Sequence, residues 1–183
     1  MPFTDLKTCP LRSEAPRLTD GDVTLRPHVL QDFADAWEFY QTTDRAGFIG
    51  APDTPTKLWY GLSSEIVSWQ LRGFGSWAIL FGDQFAGQVA VTQPPHFPEI
   101  EIGWTLLDGF EGRSIASRAA QIALDWVWSE TDLTTLVSYI TPENERSRKL
   151  AERLGAAQDP NAPLPTGESP EETVVYRHRR PPQ

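Results

Sequence analysis

The spacing of apolar positions changes repeatedly along this 183-residue chain, and each change marks an element. Val23-Thr24-Leu25-Arg26-Pro27 alternates and ends in proline, which predicts a short first strand. Phe33, Trp37 and Tyr40 then recur at helical spacing behind Asp32, a candidate N-cap. Residues 42–56 carry glycine, Pro52 and Pro55 and read as a loop, and Leu58, Leu62, Ile66 and Trp69 predict a second helix over 58–71. From Trp77 the period changes. Residues 77–81 and 85–92 predict a hairpin around Gly82-Asp83-Gln84, and Glu99 to Leu107 a further strand after the Pro-rich loop 93–98. Ile115, Ala119, Ile122, Ala123 and Trp126 mark one face of a helix of about four turns. Residues 134–140 predict a strand, 144–154 a helix stopped by Gly155, and 173–177 a last strand. Residues 1–17 read as a flexible leader and 18–183 as a single domain. The fold class is therefore α/β (α+β mixed sheet), with helices on both faces.

The most informative break lies at Gly109-Phe110-Glu111-Gly112-Arg113-Ser114-Ile115-Ala116, between a strand and a helix. A loop of small residues opening a helix leaves several backbone N–H groups pointing at one spot. With the positive end of the helix dipole, such a spot takes a phosphate or pyrophosphate. An ordinary βα turn that happens to contain glycine is the bland alternative.

Composition narrows the partners. A net charge of −9 argues against nucleic acid, which needs a basic surface; the run Arg177-His178-Arg179-Arg180 reads as a solvated tail. No apolar run approaches the roughly 20 residues of a membrane span. The polar, Pro-broken N-terminus has no signal-peptide core, so a cytoplasmic protein is expected. Cys9 is the only cysteine, which excludes an intrachain disulfide and a multi-cysteine zinc site, and no metal is expected.

The chain resembles the GNAT family of acetyltransferases, specifically the RimJ/RimL-like branch of protein N-terminal acetyltransferases. The resemblance rests on Phe110 to Ala116 at the family's pyrophosphate loop, on the strand Glu101-Ile102-Gly103-Trp104, and above all on Asn144-Glu-Arg-Ser147-Arg-Lys-Leu150-Ala-Glu152-Arg-Leu154-Gly155. The hairpin and Leu25-Arg26-Pro27 agree, so it spans about residues 20–178. It implies a central, mostly antiparallel sheet splayed where acetyl-CoA binds, and acetyl transfer to an amine acceptor, a protein N-terminus or a small molecule. The implied cofactor-binding residues are Trp104, Thr105, Leu106, Glu111, Gly112, Arg113, Ser114, Ile115, Ala116, Asn144 and Ser147. Two positions depart from the family pattern: Glu111 stands for the usual Arg or Gln, and Ser114 for the usual Gly. Ser114 is compatible with the loop if its φ is negative. Glu111 is expected to point to solvent, with Arg113 or Arg118 supplying local positive charge.

The chemistry asks for more. An amine arrives mostly protonated, so a base must take that proton before nitrogen attacks the thioester. Glu99 and Glu101 lie two apart on the strand before the loop; Glu101 fits the family pattern better, and His96 is a weaker candidate. A backbone N–H around Ile102–Leu106 would serve the oxyanion, as the resemblance implies. The tyrosine that many members use for the leaving thiolate is replaced by Ala151, and Ser147 is the branch's alternative donor. Tyr139 and Trp104 are candidates to line the acceptor tunnel. Two other readings remain at this stage. Gly112-x-Ser114-x-Ala116 with Asp132 or Asp159 and His178 has the residue order of a hydrolase triad. A catalytically weak or inactive acyl-CoA-binding sensor is the other. Oligomeric state, monomer or homodimer, is open.

Overall fold

A computed structural model of the chain describes residues 6–48 and 50–182. Eight strands form one sheet: β1 (Leu18–Asp20), β2 (Val23–Arg26), β3 (Ser76–Phe81), β4 (Gln84–Thr92), β5 (Glu101–Leu106), β6 (Thr135–Ile140), β7 (Ala157–Gln158) and β8 (Val174–Arg179). Their order is β1-β2-β3-β4-β5-β6-β8-β7. The helices are α1 (Leu30–Thr42), α2 (Pro55–Arg72), α3 (Ile115–Glu130) and α4 (Glu145–Arg153). All neighbouring strands run antiparallel except β5 and β6. That pair is parallel because α3 crosses over between them.

The β5–β6 junction is the feature that makes a site. The two strands share a single register pair, Glu101 with Val137, whereas β4 and β5 share six. Past it the ladder gives way to a side chain: Ser138 Oγ donates to the Ile102 carbonyl at 2.7 Å. The sheet therefore opens toward the C-terminal ends of both strands.

Strand alternation sorts the two faces. Ile102, Val89, Val91, Trp77 and Ile79 join α3 residues such as Ala119, Ala123 and Val127 in the main core. Three tryptophans from α2, β3 and α3 anchor it: Trp69, Trp77 and Trp126 pack edge to face with centroids 4.5–5.3 Å apart. On the other face Ala36, Leu58 and Leu62 of α1 and α2 form a smaller cluster with Phe85.

Several boundaries differ from the sequence expectation, each for a physical reason. Asp32 is not the N-cap of α1; the helix starts at Leu30 and Asp32 sits at its third position, accepting from Val29 N at 2.9 Å. It turns inward because Arg26 grips it with two bonds of 2.7 Å. Strands β1 and β7 are three and two residues long, too short for alternation to be read. The C-terminal basic run is not a solvated tail. It belongs largely to β8, where His178 is 2% exposed and Arg177 faces the other way to pair with Glu99 and Asp159. Residues 6–17, read as a leader open to partial docking, contact α2 and β3: Cys9 N donates to Arg72 O at 2.7 Å, Arg12 N to Trp69 O at 3.1 Å, and Trp77 Nε1 to Pro16 O at 3.0 Å.

Candidate active site

Beyond the end of β5 the chain turns through the glycine-bearing loop into α3, and a cleft of about 1070 Å³ opens there. Trp104, Thr105 and Leu106 of β5 line one wall, the start of α3 another, and Asn144 and Ser147 of α4 a third. Gly112 holds φ at 73°, and a Cβ there would meet nothing within 4 Å, so the loop borders open space. Ile115 is fully buried, so only its backbone is offered to the cleft. Ser114 caps α3 with its backbone alone: its side chain makes no cap hydrogen bond. Among the described residues nothing caps the first N–H groups of the helix, which is what an anion requires. Arg146 and Arg153 of α4 line the same cleft, along with Lys149, which pairs with Glu145 at 2.9 Å.

Ser114 does not have the negative φ that the sequence reading required. It stands at φ 59°, the left-handed region that the usual glycine occupies freely. Ser114→Gly is expected to stabilise the protein by about 1 kcal/mol, read as a rise in the denaturation midpoint. An unchanged or lower midpoint would mean that the serine side chain makes up for the strain.

The electrostatics of the loop also differ from expectation. Glu111 does not point freely to solvent; it folds back to accept from Gly109 N at 2.8 Å and pairs with Arg45 at 3.0 Å. Arg113 lies over the Phe81 ring at 4.2 Å, and Arg118 is occupied by Asp20 and Asp22. The local cation is Arg45, from the connection between α1 and α2, which also bonds Asp108 at 2.6 Å and the Leu106 carbonyl at 2.9 Å. It lies 61 residues upstream of Leu106 in a segment with no pattern, so nothing in the sequence pointed to it.

The two candidate bases separate clearly. Glu99 is held by both outer nitrogens of Arg177 at 2.7 and 2.8 Å, so its lone pairs are committed to an ion pair. Glu101 lies at the opening between β5 and β6, where its Oε1 accepts from Tyr139 N at 3.3 Å. Burial pushes its carboxyl up to about 8; the Tyr139 N–H opposes this, while Glu65 and Glu168 add to it. Tyr139 packs edge to face on Phe97, with its hydroxyl near the Glu99 backbone. His96 stacks on Phe97 in the Pro-rich loop. In α4, Asn144 Oδ1 accepts from Ser147 N at 3.1 Å, a capping bond that fixes both residues at the cleft. Ala151, where many family members carry tyrosine, is fully buried.

The hydrolase arrangement fails on geometry. His178 Nε2 meets Ser138 Oγ at 3.1 Å rather than Ser114, and Asp159 is taken by Arg177. Desolvation lowers the His178 imidazole to about 4, so it is a neutral structural group at pH 7. Among the described residues no group of three or more metal-ligating side chains is present, and no helix is long and apolar enough to cross a membrane.

A mixed sheet that opens beyond the β5–β6 pair, with a cleft bounded by β5, the glycine-bearing loop and α4, is the arrangement of an acetyltransferase fold. The domain family described as "Acetyltransferase (GNAT) domain" matches residues 22–157, and the chain belongs to it. A crystal structure of the acetyltransferase from Agrobacterium tumefaciens str. C58 is 35% identical and superposes with a TM-score of 0.83, over 92% of this chain and 97% of that one. The same fold is shared with RimL, the ribosomal L7/L12 α-N-protein acetyltransferase, in complex with coenzyme A, at 14% identity and a TM-score of 0.72, covering 90% and 98%. It is shared also with a ribosomal-protein-S5-alanine acetyltransferase from Vibrio fischeri, at 17% identity and a TM-score of 0.70, covering 91% and 97%.

Proposed function

We propose that this protein transfers the acetyl group of acetyl-CoA directly to a primary amine, with Glu101 as general base and Ser147 as hydrogen-bond donor to the leaving sulfur. The observation that carries the reading is the buried Glu101 carboxyl where β5 and β6 part, on the strand that also lines the cleft. The pyrophosphate of acetyl-CoA would sit against the N–H groups of residues 112–116, and its pantetheine arm along Trp104–Leu106. Glu101 takes a proton from the ammonium. The freed nitrogen lone pair then forms the C–N bond, the C–S bond breaks with its electrons on sulfur, and the second nitrogen proton passes to that sulfur. Burial raises the proton affinity of Glu101 toward that of an α-amine, about 7.7–8.0, which matches base to substrate. A protein N-terminus or a small-molecule amine both suit this chemistry; the likeness to RimL and to the S5-alanine enzyme favours the former.

The test has two stages. Acetyl-CoA should raise the melting temperature, and a panel of N-terminal peptides, lysine and small aliphatic amines should release free thiol in its presence. Stabilisation without thiol release from any amine would favour a sensor. Gly112→Trp should abolish stabilisation by acetyl-CoA by filling the cradle, whereas Gly112→Ala, with similar backbone strain and little bulk, should retain most of it. Equal behaviour of the two variants would show that the loop does not hold the pyrophosphate.

A further inference from the structure

One buried acid has no task in that mechanism. Glu65 projects from α2, and its Oε2 is buried without a hydrogen-bond partner among the described residues. Buried polar atoms are rarely left so, and an orphaned carboxylate oxygen points to an absent donor. The side chain is also firmly placed. A Cβ on Gly75 would collide with the Glu65 carbonyl and the Trp69 ring, so α2 is seated directly on the start of β3. Trp69 Nε1 donates to the Ser76 carbonyl at 3.0 Å, and the Ser76 hydroxyl stands beside the Glu65 carboxyl. Behind Ser76, His28 Nε2 lies 3.1 Å from its Oγ, with Asp32 and Arg26 beyond.

Cross-strand register then leads from Glu65 to Glu101. Ser76 is opposite Ala90, and Ala90 is opposite Gly103. The three neighbours present a hydroxymethyl, a methyl and a hydrogen, a floor without bulk on the face toward α1 and α2. The Glu101 carboxyl overhangs its far end, 3.6–3.7 Å from where a Gly103 Cβ would stand. Two strand steps of about 4.8 Å span the floor, and the charge of Glu65 is close enough to act on Glu101. The Tyr40 phenol of α1 stands beside Thr105, within reach of the Glu65 charge.

We propose that Glu65 is a second binding residue for the acceptor, its unpartnered oxygen and the Glu101 carboxyl receiving the acceptor's ammonium between them above the Ser76–Ala90–Gly103 floor. The inference rests on the amine-acetylation reading above. An ammonium carries three donors and a full charge, enough to meet both carboxyls. As the C–N bond forms, the nitrogen becomes positive again after yielding its first proton to Glu101. The Glu65 carboxylate faces that charge until the second proton leaves for the sulfur. The site therefore selects aliphatic amines, which arrive as cations, over aryl amines, which arrive neutral.

The experiment compares wild type with Glu65→Gln, using the fastest acceptor found in the panel, and with aniline as a neutral probe. The variant should raise the acceptor KM by about tenfold or more, the scale of one lost charge-assisted hydrogen bond. Its acetyl-CoA KM should stay within about twofold. Glu65→Asp should recover part of the acceptor KM, and wild type should favour the aliphatic amine over aniline by a ratio that falls in Glu65→Gln. An unchanged acceptor KM, equal effects on both substrates, or a Glu65→Gln protein that does not fold would each overturn the assignment and make Glu65 a structural group. A wild type inactive on every amine would instead defeat the reading beneath it.

Discussion

Glu101→Gln is expected to lower kcat by about 10²- to 10⁴-fold, the usual contribution of a positioned general base, while leaving acetyl-CoA affinity near that of wild type. Glutamine is the right probe because its amide oxygen still accepts from Tyr139 N, so the strand opening keeps its geometry. The pH dependence separates enzyme from substrate. Burial raises the free-enzyme carboxyl to about 8, so kcat/KM in the wild type should rise with pH and level off above that value. In the variant that limb should vanish, and any remaining slope belongs to ionisation of the amine. A variant that retains wild-type turnover would remove Glu101 from the chemistry without touching the family assignment.

Asp32→Ala carries the largest expected effect on stability. Asp32 is 1% exposed and holds the Arg26 guanidinium with two bonds of 2.7 Å. Burial alone would raise its carboxyl; Arg26, His28 and the Val29 N–H outweigh that and hold it well below the usual carboxylate range. Removing one partner of such a pair strands the other, at a cost of about 3–5 kcal/mol, measurable by urea denaturation at pH 7. The sign with pH follows from the depressed affinity. The wild-type contribution is complete above the unfolded value of about 3.9 and fades as pH falls below it, so the gap between wild type and variant should narrow in acid. A gap of under about 1 kcal/mol at pH 7 would place this ion pair among surface-like pairs.

Much of the fold was legible because most elements carry their own period. The hairpin of β3 and β4 is two apolar runs around a Gly-Asp turn and α3 repeats an apolar face at helical spacing, and the hairpin strands begin within a residue of expectation. What stayed hidden depends on partners distant in sequence. Asp32 reads as a cap, and only its pairing with Arg26 places it inside the helix. His178 reads as part of a charged tail, and only the bond to Ser138 shows a buried strand residue. The candidate site divides in the same way. The loop and the Asn144–Gly155 block are contiguous, so a reader of the sequence finds them. Choosing between Glu99 and Glu101 required Arg177, which lies 78 residues from Glu99. Glu65 and Arg45 sit in or beside helices whose periodicity reports only their apolar faces.

Arg45 ties the cleft to the far side of the sheet. One guanidinium bonds Asp108, Glu111 and the Leu106 carbonyl, yet it belongs to the connection that joins α1 to α2. A polyphosphate bound at the loop would compete with Glu111 for that cation, which sits on the segment that precedes α2. Were the two sides coupled through it, linkage would be reciprocal, and amine occupancy would change the affinity for acetyl-CoA by the same factor that acetyl-CoA changes the affinity for the amine. Substituting this single arginine would uncouple the two affinities, a quantity that neither substrate measured alone reports.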